Sequence, residues 1–214
     1  MVFNLSEQNS LANQFLRELR DKSVQQDRMR FRRNLERLGE IMAYEISKKM
    51  HYLTRVVETP LASSRINMMK QQPVLITVLR AGIPFFQGFI NFLDHADAGF
   101  IGAYRVEGKS TPSVKLDYVA VPEVTGREVI VIDPMLATGR SVMDTVHQVL
   151  KRGKPEHLYI AALVAAPEGI KHLAEHMPTG YSLWTFAIDE ALNHQFYIVP
   201  GLGDAGDLSF GNKL

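Results

Sequence analysis

The chain has 214 residues, 46% of them hydrophobic and 22% charged, which is ordinary for a soluble globular protein and long enough for one α/β domain with a sizeable core. A formal net charge of +1 supplies neither a global basic field for nucleic acid nor an acidic tail. With no cysteine, disulfides, thiolate metal sites and thiol nucleophiles are excluded, which fits a reducing compartment.

The opening "MVFNLSEQNS" lacks the basic and apolar regions of a signal peptide. The longest apolar stretch, around residues 163–166, is far too short to span a bilayer. The expected location is the cytoplasm, with no membrane partner. The first ~25 residues are mixed and polar and read as an arm. From residue 28 the spacing of Phe31, Leu35, Leu38, Ile41 and Met42 predicts a long amphipathic helix. Arg28, Arg30, Arg32 and Arg33 on that helix read as a solvated face or a subunit interface rather than a nucleic-acid patch. Such a helix makes a homodimer or larger assembly the expectation.

A βα rhythm begins at residue 73. "PVLITVL" is a β-branched run ending before Arg80, Ala81 and Gly82. "IPFFQGFINFL" predicts a helix with Pro84 in its first turn. "DAGFIGAYRV" reads as a strand, "EGKSTPS" as a loop and "VKLDYVAVPE" as a hairpin strand. "REVIVID" is continuously apolar up to Asp133, as buried parallel strands are. A helix over residues 141–153 ends at Gly153, and "HLYIAALVAA" reads as one strand. "PEGIKHLAEHM" is a helix opened by Pro167 and Glu168. "YSLWTFAI" is a further strand, before the glycine-rich "YIVPGLGDAGDLSFG". Alternating strands and helices predict a mostly parallel sheet flanked by helices, with right-handed crossovers. Ligands on such sheets bind beyond the carboxyl ends of the strands, where Arg80 and Asp133 both fall.

The loop after Asp133 carries the chemistry. In "ATGRS" small residues allow a sharp turn, Thr138 and Ser141 add hydroxyls, and Ser141 is placed to cap the next helix. With the positive end of that helix, the loop makes a cradle for a terminal phosphate. No lysine lies in it, so it is not a P-loop, and the dinucleotide glycine fingerprint is absent. Asp133 would repel a phosphate it touched, whereas a carboxylate a few ångströms away can accept hydrogen bonds from a sugar diol. The natural ligand is therefore a sugar phosphate. Asp-Pro and Thr-Gly also occur as plain turn chemistry.

With its strand, the loop resembles the phosphoribosyl diphosphate motif of type I phosphoribosyltransferases. "DPMLATG", "AAPEGI" at 165–170 and "YIVPGLGDAGD" at 197–207 together resemble the uracil phosphoribosyltransferase family, from about residue 25 to the end. The resemblance implies a single domain over 1–214, with an N-terminal arm and helix to 57, an α/β core over 73–190 and a small base-binding hood over 191–214. It implies transfer of the phosphoribosyl group from 5-phosphoribosyl 1-diphosphate to uracil, giving UMP and diphosphate. Mg²⁺ would be held mainly by the diphosphate, with no direct protein ligand. Arg80 and Arg105 match the family's diphosphate-side arginines. Asp133, Pro134, Met135, Leu136, Ala137, Thr138, Gly139, Arg140 and Ser141 match its ribose and phosphate loop. Ile198, Gly203, Asp204 and Ala205 match its base site, with Asp204 also near the diphosphoribosyl substrate. Asp133, Arg80, Arg105 and Asp204 are thus the expected catalytic set.

Elementary chemistry agrees with this assignment. Breaking the C1–O bond of ribose develops positive charge on the sugar and negative charge on the leaving diphosphate, which arginines and Mg²⁺ can stabilise. Two departures stand out. Arg140 replaces a usual glycine, which would be strained if the position needs φ > 0. Val106 replaces an acid in the segment 106–113, which bears on loop closure and on any effector response. Nothing in the residues decides whether GTP activates the enzyme.

Other candidates read as structural. His172 and His176 share a helix face but lack an apparent third ligand. Asp189 and Glu190 follow a strand end where the resemblance implies hood contacts, but read most simply as a helix cap; Trp184, Phe186 and Tyr181 read as core. Two rival functions keep the fold. One is a regulatory protein that binds RNA or another partner, disfavoured by the intact "GLGDAGD". The other is a transferase for another base.

Overall fold

The computed structural model describes residues 1–106 and 113–212, with the side chains of these except at 103–116. Residues 107–112 of the "EGKSTPS" loop and the side chains of Arg105, Val106 and Ser113, on which the loop-closure expectation falls, lie outside the described residues. Chain order begins with β1 (Val2–Asn4), α1 (Leu11–Arg20) and α2 (Arg28–Ser47). Residues 1–20, read as an arm, form an edge strand of the sheet and a packed helix. Ser10 caps α1 through a bond from Ala12 N–H, and Asp27 caps α2 through one from Arg30 N–H.

The predicted helix is present, and its apolar stripe is consumed inside the chain. Phe31, Leu35, Leu38, Met42 and Ile46 are all fully buried, each contributing about 1.5–3 kcal/mol on burial. The stripe therefore gives no ground for a subunit interface. Three of the four arginines at the start of α2 are engaged as well. Arg30 forks onto Glu18 at 2.8 and 2.9 Å, and Asn34 donates to the same carboxylate at 2.7 Å. These hydrogen bonds hold the Glu18 carboxyl down at about 2. Arg33 pairs with Glu36, and Arg32 donates to Ser209 O at 2.8 Å.

A β-hairpin absent from the sequence reading comes next, β2 (Tyr52–Glu58) paired antiparallel with β3 (Ser63–Met69). It is exposed on both faces, which erases the alternation that marks a half-buried strand. The core then unrolls as β4 (Val74–Leu79), α3 (Gly82–Phe92), β5 (Asp97–Val106), β6 (Ser113–Ala120), β7 (Glu128–Ile132), β8 (Met135–Leu136) and α4 (Arg140–Leu150). It continues through β9 (His157–Ala161), β10 (Val164–Ala165), α5 (Pro167–His176), β11 (Tyr181–Thr185) and β12 (Ala187–Ile188). The chain closes with β13 (Ala191–Leu192), β14 (Ile198–Val199) and α6 (Ala205–Phe210).

The main sheet has seven strands in the order β1-β11-β9-β7-β4-β5-β6, parallel except for the β5–β6 edge pair. Alternate strand residues feed two cores. Leu75, Ile130, Tyr159 and Trp184 face α1, α2 and α3, while Val74, Ile76, Val129, Val131, Leu158 and Ile160 face α4 and α5. Both faces are covered, so the central strands are apolar throughout. Trp184 and Phe186 are core as expected, with Trp184 stacked on Phe3 at 4.1 Å.

Two runs read as single strands are each broken in two. Residues 157–166 divide into β9 and β10, and 181–188 into β11 and β12. With β8 these continuations form a three-stranded parallel sheet, β12-β10-β8, at the carboxyl ends of the main strands. The break begins at Pro134, which has no N–H to offer the ladder. Its carbonyl instead accepts from Leu163 and Val164 at 2.9 and 3.1 Å. Apolar composition continues across both breaks, and at β9–β10 both sides are buried, so the pattern hides the bends.

Candidate active site

The bend creates the floor of the candidate site. Asp133, 8% exposed, lies just past the end of β7. Its Oδ1 accepts from Met135 N–H at 3.2 Å and its Oδ2 from the Ser141 hydroxyl at 3.2 Å. Met135 and Leu136 are anchored in β8, Ala137 N–H bonds Met135 O at 3.0 Å, and Thr138 Oγ1 accepts from Arg140 N–H at 3.5 Å. The loop from Asp133 to Ser141 is thus a series of tight turns delivering the chain to α4.

Two expectations about this loop are corrected. Ser141 does not cap the helix: Gly139 is the N-cap, without a capping side chain, and Ser141 lies one residue inside α4 with its hydroxyl turned to Asp133. Arg140 carries no backbone strain. The left-handed turn falls on Gly139, at φ 78°, and Arg140 begins the helix, its side chain exposed. Gly139 is needed twice over, since a Cβ there would also lie 3.0 Å from Gly169 O and 3.2 Å from the His172 ring. The imidazole of His172 therefore packs on the loop rather than facing only solvent. Burial, then the charges of His176 and Arg140, lower its pKa. Among the described residues no cluster of three His, Asp or Glu is placed to hold a metal ion.

Arg80 follows β4 in the turn to α3. Its Nη2 donates to Asp207 Oδ1 at 3.2 Å and toward Gly211 O at 3.5 Å. The turn is wedged between the two halves of the site. A Cβ on Gly82 would lie 3.3 Å from Ile132 O, beside Asp133, and one on Gly206 would lie 3.8 Å from Ala81 Cβ. Arg80 is thereby joined to α6 on one side and to the Asp133 strand on the other. The backbone of Arg105 lies one residue before the end of β5, opposite Val114.

The terminal segment folds over this end of the sheet. Ile198 pairs with Leu192 between β13 and β14. Asp204 caps α6, its Oδ1 accepting Asp207 N–H at 3.0 Å, and Ala205 is buried behind it. Gly203, at φ 93°, is exposed. Gly203, Asp204 and Asp207 line a polar cavity of about 300 Å³ together with Gln25, Arg28 and Asn212.

Four participants were missed in the sequence. Asp207 holds Arg80, and Gln25 bridges Leu19 O and Leu202 O at 2.9 and 3.1 Å. Asp189, read as a helix cap, has no helix to cap. It binds Arg20 bidentately, at 2.7 and 3.0 Å, and accepts Gly201 N–H at 2.9 Å. Arg20 and Asp189 are 169 residues apart, so no local pattern announces their pairing.

A parallel sheet ending in a buried carboxylate, a glycine turn into a helix and an arginine wedged against a glycine-rich hood defines a phosphoribosyltransferase of the type I class. Comparison with known proteins narrows the class. A family model described as uracil phosphoribosyltransferase matches residues 6–212. The chain is 44% identical over 214 residues to the uracil phosphoribosyltransferase of Porphyromonas gingivalis, covering 100% of this chain and 99% of that protein. It is 40% identical over 205 residues to the enzyme of the same name from Pyrococcus furiosus, covering 94% and 86%. Among solved structures, the AQ2163 protein of Aquifex aeolicus superposes with a TM-score of 0.88 at 30% identity, covering 99% and 98%. The chain belongs to the uracil phosphoribosyltransferase family.

Proposed function

We propose that this chain transfers the phosphoribosyl group of 5-phosphoribosyl 1-diphosphate to uracil, releasing UMP and diphosphate. The observation that carries the reading is the meeting, at one end of the sheet, of the Asp133–Ser141 loop, Arg80 and the Ile198–Ala205 strip in a chain of this family. Membership of that family favours the enzyme over the RNA-binding and other-base alternatives.

In this reading the phosphate lies in the turn at the start of α4, where N–H groups, Thr138 and the positive helix end favour an anion. Asp133, held by Ser141 and the Met135 amide, accepts from the ribose hydroxyls and orients C1. As the C1–O bond breaks, Arg80 and Arg105 take up charge on the departing diphosphate. Uracil needs an acceptor for N3–H and donors for its two carbonyls, and main-chain groups of Ile198, Gly203 and Ala205 supply that pattern. Cytosine presents the opposite polarity at two positions and is rejected. No side-chain nucleophile is required.

Mg²⁺, carried mainly by the diphosphate, would neutralise charge there. The Asp204 and Asp207 carboxylates lining the cavity beside Arg80 are the oxygen donors a hard cation prefers. One phosphoribosyltransferase domain spans the chain, with residues 191–214 as its hood. No helix among the described residues is long and apolar enough to cross a membrane, and the cytoplasm is the proposed location. Self-association into a dimer or larger homo-oligomer runs through the β2–β3 hairpin, which exposes Tyr52, Leu53, Val56, Ile66 and Met68.

The test is direct: purified protein, Mg²⁺, phosphoribosyl diphosphate and labelled uracil, assayed for UMP. UMP formation that disappears in the Asp133→Asn variant supports the reading. Saturable binding of phosphoribosyl diphosphate without UMP would show that the base or the role has changed.

A further inference from the structure

We propose that Arg20 and Asp189 are positioning residues for the pyrimidine. They hold both polar atoms of the Gly201 residue and so fix the backbone strip that reads the base. The proposal rests on the reading of Ile198–Ala205 as the base site. It draws on α1, a part of the chain that precedes the motifs of the family resemblance.

The geometry is specific. The Asp189 side chain is 5% exposed and that of Arg20 is 22% exposed. Arg20 Nη2 donates to Asp189 Oδ1 at 2.7 Å, and Nη1 to Oδ2 at 3.0 Å. The same Nη1 donates to Gly201 O at 3.1 Å, while Asp189 Oδ2 accepts Gly201 N–H at 2.9 Å. Both polar groups of residue 201 are thereby committed to a pair lying on other elements. Gly201 itself adopts φ 56°, and a Cβ there would run into Ile198 O, so the turn folds tightly back on a candidate base contact. The next carbonyl, Leu202 O, is taken by Gln25 from the segment after α1.

A site that reads its ligand with main-chain groups has no rotamers to adjust. Its selectivity is the spacing and direction of N–H and C=O groups, and displacing the strip degrades it. The strip's own ladder is short: β13 and β14 share the pairs Ala191–Val199 and Leu192–Ile198, flanked by Glu190 N–H on Val199 O at 3.0 Å and Asn193 N–H on Tyr197 O at 2.9 Å. That ladder stops at Val199, and beyond it the Arg20–Asp189 pair holds Gly201. A guanidinium suits this clamp, because one planar fork binds a carboxylate twice and keeps N–H capacity for a carbonyl, which an ammonium does not reproduce. Asp189 is in turn anchored by its own N–H on Ala165 O at 2.8 Å. Ala165 pairs with Leu136 of the phosphate loop. The clamp thus ties base strip and sugar-phosphate loop to one frame.

Arg20→Ala would leave a buried carboxylate unpaired and endanger folding, so two gentler variants carry the test. Arg20→Lys keeps the charge and removes the fork. Asp189→Asn keeps an oxygen for Gly201 N–H and removes the ion pair. Steady-state kinetics should show the uracil KM rising about tenfold in Arg20→Lys and less in Asp189→Asn, with the phosphoribosyl diphosphate KM within about twofold of the parent. Competitive inhibition by cytosine should strengthen relative to uracil binding. An active parent whose variants keep the parental uracil KM overturns the proposal. So does a parallel rise of both KM values in step with a lowered melting temperature, which would make the pair a general brace. A parent protein that forms no UMP instead sinks the base-site reading beneath it.

Discussion

Strand β7 carries a buried carboxylate at each end, Glu128 at 7% exposure where it begins and Asp133 at 8% just past its last residue. Burial therefore does not tell them apart; their surroundings do. Glu128 accepts from the Tyr159 hydroxyl at 2.9 Å and lies 3.6 Å from the His51 ring. Burial, and the hydrogen bond to Glu128, push the Tyr159 phenol well above its ordinary range. His51 and Lys70, which flank the hairpin, both reach Glu156 next to this cluster. Glu128 thus rivets the hairpin base to the sheet. Asp133 is bound by a hydroxyl and an amide of the turn that enters α4, so it lies beside a helix N-terminus. Two carboxylates on one strand acquire different work because the carboxyl ends of parallel strands open toward helix N-termini and the amino ends do not.

The comparison can be broken at either end. The largest effect is expected from Asp133→Asn, which should lower UMP formation by about a hundredfold or more, because C1 is no longer oriented by a carboxylate. Circular dichroism should show an intact fold, and full activity would remove Asp133 from the ribose site. Glu128→Ala should do the converse. Leaving the Tyr159 hydroxyl without its carboxylate should cost about 1–3 kcal/mol of stability in denaturant titration, with both KM values within about twofold of the parent.

A smaller effect tests the arginine between the two halves of the site. Asp207→Asn removes the anion paired with Arg80, and calorimetry without divalent cation should show inorganic pyrophosphate binding about two- to fivefold tighter, as for a partly exposed ion pair. Weaker binding would show that Asp207 aims Arg80 rather than competing for it. The smallest change is expected from Arg140→Gly. Arg140 opens α4 with ordinary helical geometry, so glycine there should lower stability by about 1 kcal/mol or less and UMP formation by no more than about threefold. A dead variant would make the Arg140 side chain essential to phosphate binding.

Much of the fold is legible locally. From Val74 to Ile188 strand and helix stretches alternate, because the central strands are covered on both faces and each helix has one buried side. The turn from Asp133 into α4, the candidate phosphate loop, is legible because its residues are local: Asp133, Thr138 and Gly139 lie within a few residues of one another. The β2–β3 hairpin is not, since exposure on both faces removes any period. Nor are the bends after β9 and β11, where an apolar run continues across a change of direction.

By itself the sequence determined the mostly parallel sheet, the alternation of its core strands and helices, and the family, all of which rest on short-range patterns of apolar, turn-forming and hydroxyl residues. Only the tertiary structure decided that the first helix buttresses the hood, that Gly139 rather than Ser141 caps α4, that Asp207 holds Arg80 and that Arg20 and Asp189 grip Gly201. The physical reason is range. Periodicity and turn chemistry act over a few residues, whereas a buried charge finds whichever partner the fold brings within about 3 Å, and the chain between them carries no record of that meeting.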